Sequence, residues 1–494
     1  MKKKISRMTA LLSALCMLFT LCACAGGDEG NDTTQSVSPG SEVSAPVESG
    51  DTELTIALNA EPSGLYPQYG MSNAVSTIAD FLYDTLVKWD YETNTPVPHL
   101  ATSWEWVDET HLRLTLRDDV TFANGEPMTA EDVAFTFQMA CESGTTASSY
   151  SRIFDGANCV AEDDTNVVLA LNSPYPIVVD ILAADVYSIL DKSAFEEVGG
   201  ADAAARNPVI GSGKYAFSEW VDGQYIKLVR NDNYWNKEDM GYYETVTFTF
   251  ITDNTSRAMA VQSGDVDIAM GLGTTQAEGL MADSNLSVVV ENISTNRTLY
   301  MNCSDPALSS EEVRTALWYL IDAEAIRAIA NAGYGELSET NFSQFCAVYA
   351  APEGDFTRQV DVEQAKELLA RAGYDESNPL TLELMMPSEG DNETIAQLVQ
   401  AQLGAAGVNM TIELLEIGAF LQELWSGNYQ LTITSGDQYD YAKLLYMVDG
   451  RIDPATASGG AQYNDETLQA MLDECYVETD DAARKELYAE VQAY

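Results

Sequence analysis

The chain has 494 residues, 46% of them hydrophobic and 9% aromatic, so it can bury a large core and divide into two or three domains. Its formal net charge of -52 disfavours nucleic acid and anionic membrane surfaces as direct partners. The five cysteines beyond Cys24 are odd in number and widely spaced. A complete disulfide framework is therefore excluded and a metal cluster is disfavoured, and most of these cysteines are predicted to be small buried side chains.

The N-terminus has the pattern of an exported lipoprotein. Four basic residues precede an apolar run over residues 10–21, which predicts a secretory signal peptide over residues 1–23. Leu21-Cys22-Ala23-Cys24 matches a bacterial lipobox with a small residue directly before Cys24, so Cys24 is the predicted lipidated residue. Residues 24–50 are then a lipidated cysteine and a flexible tether, because this segment is polar and contains no aromatic residue.

The folded part begins with alternating apolar and polar residues over 53–58, which predict a strand. A loop punctuated by proline and glycine follows over residues 61–67, and it contains Tyr66, with Tyr69 just beyond it. Residues 73–89 predict a helix and then a second strand.

Residues 98–137 have the most specific order in the chain. Thr129 with Asp132 predicts a capping box at the start of a helix, and the Asn-Gly pair before it predicts a turn. A half-buried strand is predicted by three leucines that alternate with polar residues: Leu112, Leu114 and Leu116.

The Gly211-Ser212-Gly213-Lys214 sequence looks like part of a phosphate-binding loop. Such a loop requires a glycine five positions before Gly213, and this chain has Pro208 there. A phosphate-binding loop is therefore excluded.

The last third of the chain alternates strands and helices, which implies α/β layers with parallel strand pairing. Ser309 with Glu312 predicts a capping box before one helix. Asp361 is the predicted cap of the next helix, and Gly373 its predicted end.

Several of these strings resemble one known family. Pro-x-Leu-Ala-x-Ser-Trp from Pro98, followed by Leu-Arg-Asp-x-Val-x-Phe-x-x-Gly-Glu-Pro-x-Thr-Ala-Glu-Asp-Val from Leu116, is similar to the signature region of a group of extracytoplasmic solute-binding proteins. These are the family 5 proteins of ATP-driven (ABC) importers, which include oligopeptide, dipeptide and nickel binders. Further blocks resemble the family in the same order, over residues 211–235, 262–267 and 313–322.

The resemblance implies an α/β protein with a two-lobed periplasmic-binding-protein type II fold and an extra subdomain inserted in the first lobe. The first lobe would be discontinuous, over residues 51–93 and 208–298, with the inserted subdomain at 94–207 and the second lobe at 299–494. In the family, the segment that matches residues 211–235 opens a hairpin where the chain returns to the first lobe. Family members also continue into strands that rejoin the first lobe, so we expect this sequence to be truncated at its C-terminus.

The residues needed by common enzyme classes are scarce. The chain has two histidines, His99 and His111, without a Gly-x-Ser-x-Gly elbow, and their spacing excludes a His-Glu-x-x-His zinc site. A two-carboxylate glycosidase stays open because the chain has 77 acidic residues, but no pair stands out. We predict that the protein is not an enzyme and has no catalytic residue, no metal site and no cofactor.

A candidate ligand site follows the last predicted strand. Residues 435–441 form a loop at its C-terminal end, where α/β sheets place ligands. Peptide binders that the chain resembles have Gly-Trp-x-x-Asp here, which implies that Asp440 holds a peptide α-ammonium group. Asp437 replaces the tryptophan and adds a second carboxylate, and no residue is assigned to a ligand carboxylate. The other candidate ligand contacts are aromatic: Tyr439, Tyr441, Tyr66 and Tyr69.

These patterns predict a lipid-anchored solute receptor on the extracytoplasmic face of the bacterial cell membrane, periplasmic or at the cell surface. We expect a monomer that closes two lobes over a small solute, with peptide favoured, and delivers it to an ABC permease and its ATPase. The lipid anchor would be its only membrane contact, and no nucleic acid is expected. The alternatives are an oligosaccharide or metal chelate in the same family or, from a different class, a surface glycan or peptide hydrolase.

Overall fold

The computed structural model describes residues 53–68, 72–90, 93, 95–141, 153–200, 210–290, 296–344, 346, 348–350, 360–388, 390–436 and 461–494. The predicted signal peptide, lipidation site and tether lie outside these residues. So do five of the six predicted ligand contacts: Tyr69, Asp437, Tyr439, Asp440 and Tyr441. Among the helices in the described ranges, none is long and apolar enough to cross a membrane.

The described chain alternates short strands and helices. Up to residue 281 the elements are β1 (Glu53–Leu58), α1 (Asn73–Leu82), β2 (Val87–Asp90), β3 (Thr95–Pro98), β4 (Ala101–Asp108), β5 (His111–Leu116), α2 (Ala130–Ala140), β6 (Val160–Ala161), β7 (Asn166–Ala170), α3 (Val178–Ile181), α4 (Lys192–Val198), β8 (Tyr215–Val221), β9 (Tyr225–Arg230), β10 (Thr245–Phe250), α5 (Asn254–Ser263), β11 (Ile268–Ala269) and α6 (Thr274–Met281). The remaining elements are β12 (Asn296–Met301), α7 (Glu311–Leu320), α8 (Ala323–Ala330), α9 (Val362–Arg371), β13 (Thr381–Pro387), α10 (Asn392–Gly404), β14 (Asn409–Leu415), α11 (Ile417–Ser426), β15 (Leu431–Gly436), α12 (Glu466–Val477) and α13 (Asp481–Ala493).

The first lobe is built on a five-stranded mixed sheet in the order β11-β1-β10-β9-β8. Strand β1 is parallel to both β10 and β11, and β8 and β9 form an antiparallel hairpin. Ile56 on β1 pairs with Phe248 on β10, and both side chains are buried beneath helix α1 in one apolar cluster. The hairpin predicted over residues 211–235 is therefore confirmed.

The inserted subdomain is an antiparallel four-stranded sheet in the order β4-β5-β7-β6, covered by helix α2. The three alternating leucines of β5 are buried, as the sequence predicts. The predicted cap is also confirmed, because the Thr129 backbone N–H donates to Asp132 Oδ2 at 2.8 Å at the start of α2.

The second lobe is built on a four-stranded sheet in the order β12-β15-β13-β14. Strand β13 is parallel to both β14 and β15, which confirms the predicted parallel pairing, and β12 joins as an antiparallel edge strand. Helices α7, α9 and α10 cover one face of the sheet, and α11 covers the other through Phe420 against Tyr300 and Met385.

One predicted helix cap is wrong by a single residue. Helix α7 is capped by Ser310, whose Oγ accepts from the Val313 N–H at 3.5 Å, and not by Ser309. Both serines fit the capping pattern, and the path of the chain into the helix decides between them. The other predictions hold: Asp361 Oδ1 accepts from the Gln364 N–H at 2.9 Å at the start of α9, and Gly373 follows its end with a φ of 93°.

The C-terminal helices α12 and α13 pack away from the second-lobe sheet. Leu472 and Tyr488 belong to the same buried cluster as the leucines of β5, and Gln492 Nε2 donates to the Val348 carbonyl at 2.9 Å. The predicted second lobe, 299–494, groups these helices with β12–β15 on sequence order alone. The domain division stays a prediction, and the packing associates α12 and α13 with the core of the inserted subdomain.

The five described cysteines are all free. Cys159, Cys346 and Cys475 are buried, as predicted for most of them, and burial raises the pKa of each of these thiols to about 12. They are therefore protonated and unreactive at neutral pH.

A buried polar cluster joins the first lobe to the inserted subdomain, with the Asp84 carboxylate at its centre. Asp84 Oδ2 accepts from Ser212 Oγ at 3.1 Å and from Trp235 Nε1 at 3.2 Å. His99 Nε2 lies 3.5 Å from Asp84 Oδ1, and the His99 ring packs edge-on against Trp235. A buried carboxylate requires several donors, and this one takes them from the segments around Ser212 and Trp235, whereas the buried His99 Nε2 makes no hydrogen bond in the described chain.

We expect His99 to make the protein less stable in mild acid. Burial lowers the pKa of His99 from 6.5, while the Asp84 carboxylate opposes that shift and Lys88 and Lys214 reinforce it. The neutral ring is favoured in the folded state, so its contribution is present above the ordinary pKa and is lost as the pH falls below it. His99→Gln should flatten the fall in melting temperature between about pH 7.5 and about pH 5.5.

The second histidine supplies the matched control for that measurement. His111 lies on the surface beside Asp108 with a side chain that is 41% exposed, so His111→Gln should leave the acid-induced loss of stability in place. Equal pH dependence in the His99→Gln protein and the unmodified protein would contradict the prediction.

Candidate functional site

The candidate site is the space between the two lobes, which we call the interlobe cleft. Strands β1 and β10 are parallel, as are β13 and β15, so each sheet has a carboxyl edge where its loops begin. In α/β proteins such edges bind ligands. The two edges face each other here, because a Cβ added to Gly273, which follows β11, would lie 3.6 Å from Oδ1 of Asp391, which follows β13.

Two direct contacts hold the lobes together beside the cleft. Thr274 Oγ1 at the start of α6 donates to the Ala330 carbonyl at the end of α8, at 3.2 Å. The Tyr334 hydroxyl lies 3.6 Å from Met281 Sδ at the other end of α6. Helix α6 of the first lobe therefore lies directly against the second lobe.

Arg257 shapes the first-lobe side of the cleft. Its guanidinium is buried and donates to the carbonyls of Thr252 at 3.2 Å, Met270 at 3.0 Å and Gly271 at 2.7 Å, as well as to Ile251 O and Asn254 Oδ1. The four carbonyl acceptors belong to the loops that leave β10 and β11, and Asn254 is the first residue of helix α5. Burial lowers the pKa of Arg257 while Asp253 opposes the shift. One cation thus fixes two loops at the carboxyl edge of the first sheet.

Arg297 and Asp391 lie on the second-lobe side. Arg297 is the second residue of β12 and pairs with Ser435 of β15, one residue before that strand ends. Asp391 precedes helix α10 and lies within electrostatic range of Arg297. Sequence reasoning missed both residues, since each is an ordinary polar residue next to a strand or helix.

The predicted ligand contacts are only partly placed by the structure. Strand β15 ends at Gly436, at the carboxyl edge of the sheet, and Asp437, Tyr439, Asp440 and Tyr441 lie outside the described part of the chain. Tyr69 lies outside it as well. All of these assignments stay predictions.

Tyr66 is the one predicted ligand contact in the described chain. Its side chain is fully buried in the first-lobe core and packs on Phe195 with ring centroids 5.3 Å apart. In this arrangement it presents no surface to the cleft, so a direct role with ligand stays a prediction that requires a local rearrangement.

The titratable groups that the structure describes give no sign of a metal centre. Within the described ranges, no three His, Cys, Asp or Glu side chains are grouped so that they could hold a metal ion. His99 is engaged in the buried cluster around Asp84, and His111 lies on the surface with Asp108.

The family model for the bacterial extracellular solute-binding proteins, family 5 (middle region), matches residues 95–450. The chain belongs to this family. The oligopeptide-binding protein AppA of Bacillus subtilis (strain 168) is 25% identical over 469 residues, which cover 89% of this chain and 83% of AppA. The nickel-binding periplasmic protein of Escherichia coli (strain K12) is 27% identical, over 73% of this chain and 70% of that protein.

Solved structures of similar proteins have the same fold as this solute-binding protein. The periplasmic binding protein DppA of Helicobacter pylori, in complex with the peptide STSA, superposes with a TM-score of 0.79 at 23% sequence identity, over 89% of each chain. The predicted family and the predicted two-lobed α/β fold are both confirmed. The protein is thus an extracytoplasmic solute-binding protein, from a family of binding proteins and not of enzymes.

Proposed function

We propose that this solute-binding protein binds peptides in the interlobe cleft and delivers them to an ABC import permease driven by a cytoplasmic ATPase. The observation that supports this most is the meeting of the two carboxyl edges, with Gly273 and Asp391 at the point of contact. The Helicobacter pylori protein of the same fold was solved in complex with a peptide, and the AppA relative is named an oligopeptide-binding protein. The protein acts by binding and release, without chemical turnover.

Binding would be coupled to the relative motion of the lobes. Contacts that a ligand makes with both lobes exist only in the closed state, so ligand shifts the equilibrium towards closure by that difference in free energy. The two hydrogen-bonding contacts of helix α6, at Thr274 and Tyr334, lie beside the cleft and would move with it. The closed form is then the one that the permease recognises.

The peptide α-ammonium group would be held by Asp440. Asp440 comes four residues after the last residue of β15 in the sequence, and a charged amine that leaves water needs a carboxylate partner. Asp437 would place a second carboxylate nearby, and Tyr439 and Tyr441 would provide the apolar walls. The net charge of the chain, -52, further favours the cationic end of a peptide over an anionic one.

We also propose that the mature protein is a monomer tethered to the outer face of the cell membrane through lipid on Cys24. The lipobox and the polar segment over residues 25–50 support this anchoring. The folded body would then remain close to the permease while it exchanges ligand.

A thermal-shift screen of the purified protein tests the proposed function. Pooled short peptides should raise the melting temperature, because a ligand that binds only the folded state stabilises it. Asp440→Asn should remove most of that shift, since loss of one partner of a buried charged pair costs about 3–5 kcal/mol. Asp267→Asn, at an exposed carboxylate that accepts from the Thr55 backbone N–H in the first lobe, is a control for the loss of one acid.

The other classes of function give different results in the same screen. A shift in melting temperature with oligosaccharides or nickel chelates alone would support the receptor function but show that its ligand is not a peptide. Turnover of a glycan or peptide by the purified protein would reject the receptor in favour of a surface hydrolase.

A further inference from the structure

Helix α6 of the first lobe contacts the second lobe at both of its ends. At its N-terminus, Thr274 Oγ1 donates to the Ala330 carbonyl at 3.2 Å. At its C-terminus, Met281 Sδ lies 3.6 Å from the Tyr334 hydroxyl. The helix has 8 residues and therefore spans about 12 Å. Its whole length thus lies along the second lobe.

A further contact at the N-terminus of α6 is electrostatic. Asp391 directly precedes helix α10, yet its side chain makes no capping hydrogen bond to that helix. Its Oδ1 lies 3.6 Å from the position that a Cβ would take on Gly273, the residue that precedes α6. Glycine has no side chain with which to cap α6, so the N–H groups of the first turn keep their partial positive charge. A carboxylate of the second lobe at this end of the helix is therefore favourable.

The second-lobe turn that contacts the other end of α6 is held in one shape. Arg327 Nη1 donates to the Gly333 carbonyl and, at 3.3 Å, to the Gly335 carbonyl, while the same guanidinium pairs with Glu324 at 2.7 Å. Gly333 and Gly335 have φ values of 84° and 82°, in the left-handed region that favours glycine. Tyr334, which lies between them, is thereby presented to α6 at a fixed place.

The contact between the lobes along α6 is thin and mostly polar. The apolar cluster beneath helix α1 in the first lobe and the two apolar clusters of the second-lobe sheet share no residue in the part of the chain that the structure describes. Met281 is 46% exposed. An interface without an apolar core depends on a few weak interactions, and domains joined in this way separate readily. The lobes can therefore part along α6 while each keeps its own core.

We propose that helix α6 is a latch. Its contacts with the second lobe hold the ligand-free protein with its lobes together, and the carboxylate of Asp391 sets how often the lobes separate. A latch made of a few weak contacts suits a two-state equilibrium, because a change in one contact shifts the two populations several-fold. This device goes beyond the proposed binding function and does not depend on which solute the cleft accepts.

Gly273 allows one charge to be added at the latch. Gly273→Asp places a second carboxylate beside Asp391, whereas Gly273→Asn adds a side chain of nearly the same size and shape without charge. Either side chain can cap α6, and the φ of -62° and ψ of 152° at this position suit any residue. The atom nearest to the new Cβ is Oε1 of the flexible Gln276 side chain, at 2.9 Å, which can move away. The two variants therefore differ in charge at the contact between the lobes.

Double electron–electron resonance without any ligand measures the two populations. One spin label is attached at Ser218→Cys on β8 and the other at Glu367→Cys on α9, since both residues are exposed and lie on different lobes. The unmodified latch should give mainly the short distance between the labels. Gly273→Asp should lower the ratio of the short-distance to the long-distance population about 5- to 30-fold relative to Gly273→Asn. The cysteines that could also take a label are replaced by serine: Cys24, Cys141 and Cys303.

Second-site and single variants complete the design. In Gly273→Asp/Asp391→Asn the added carboxylate faces an uncharged amide, so the short-distance population should return. Asp391→Asn and Thr274→Val each remove one native contact without adding a charge, and each should lower the ratio about 2- to 10-fold. These two variants retain the test if Gly273→Asp does not fold.

Two results would overturn the latch. One is the same distance distribution in all the single variants and the unmodified protein. The other is a long distance alone in the unmodified protein. No ligand is present in these measurements, so either result would reject the latch and leave the peptide-binding function standing.

Discussion

Replacement of Arg257 by alanine should lower the stability of the first lobe by about 3–5 kcal/mol. The guanidinium is 1% exposed and donates to four backbone carbonyls and to Asn254 Oδ1. Alanine leaves those acceptors without a donor in a buried position and creates a cavity. Arg257→Lys should lose about half as much, because an ammonium group has three donors and lacks the planar fork.

Chemical denaturation monitored by circular dichroism measures this effect. If the lobes unfold separately, the transition of the first lobe should shift and that of the second should stay unchanged. Arg371→Ala removes an exposed arginine at the end of α9 and should shift neither transition by more than about 0.5 kcal/mol. A loss below about 1 kcal/mol for Arg257→Ala would show that water replaces the guanidinium at the carbonyls.

The same substitution should affect ligand binding. The carbonyls that Arg257 holds belong to loops at the carboxyl edge of the first sheet, and one of them continues into Gly273 at the contact with Asp391. Freed loops must be ordered again when ligand binds, which costs conformational entropy. The Arg257→Lys protein, which retains more of the hydrogen bonds, should therefore bind short peptides more tightly than the Arg257→Ala protein.

The second large effect concerns Gly213, which should not tolerate even alanine. A Cβ at this position would lie 2.5 Å from the backbone carbon of Leu82 and 2.6 Å from both Phe81 O and Tyr83 N. No side-chain rotation relieves a clash with backbone atoms, so the two segments must separate. Their separation would break the hydrogen bond from the Gly213 N–H to the Leu82 carbonyl at 3.0 Å.

The expected cost of Gly213→Ala is about 3 kcal/mol or more, at the upper end for an overpacked core. The neighbouring Ser212 is fully buried and donates to Asp84, so movement here also disturbs the buried polar cluster. Thermal unfolding of the purified protein gives the measurement. Gly279→Ala is the control: Gly279 lies within helix α6, and beyond its chain neighbours and the helix's own backbone no atom lies within 4 Å of an added Cβ, so alanine there should stabilise the helix by about 0.5–1 kcal/mol. Similar melting temperatures for the two variants would contradict the close approach.

The close approach at Gly213 also accounts for the glycines of a short motif to which local sequence patterns assign no function. Gly211-Ser212-Gly213-Lys214 lacks the glycine that a phosphate-binding loop needs, and in the folded protein its glycines serve packing. A Cβ on Gly211 would lie 2.1 Å from the Leu82 carbonyl oxygen, so both glycines pass directly over the end of helix α1. Close approach between two backbones is the physical reason for two glycines at this junction.

Local sequence patterns by themselves determined much of this protein. Alternation of Leu112, Leu114 and Leu116 fixed a strand with one buried face, and Asp361 with Gly373 marked the start and end of helix α9. Such features depend on residues a few positions apart, so their physical cause lies within the local sequence. The motifs over residues 98–133 and beyond, which occur in the same order as in the family, were sufficient to identify that family. Membership of the family in turn implied the two-lobed fold.

Only the tertiary structure shows which residues from distant segments of the chain contact each other. Asp84 meets Ser212 and Trp235, more than 100 residues away, and Asp391 meets Gly273 across the lobes. Helices α12 and α13 pack with the inserted subdomain, although sequence order places them after the second-lobe sheet. Period and spacing describe which face of an element is apolar, but not which element covers it.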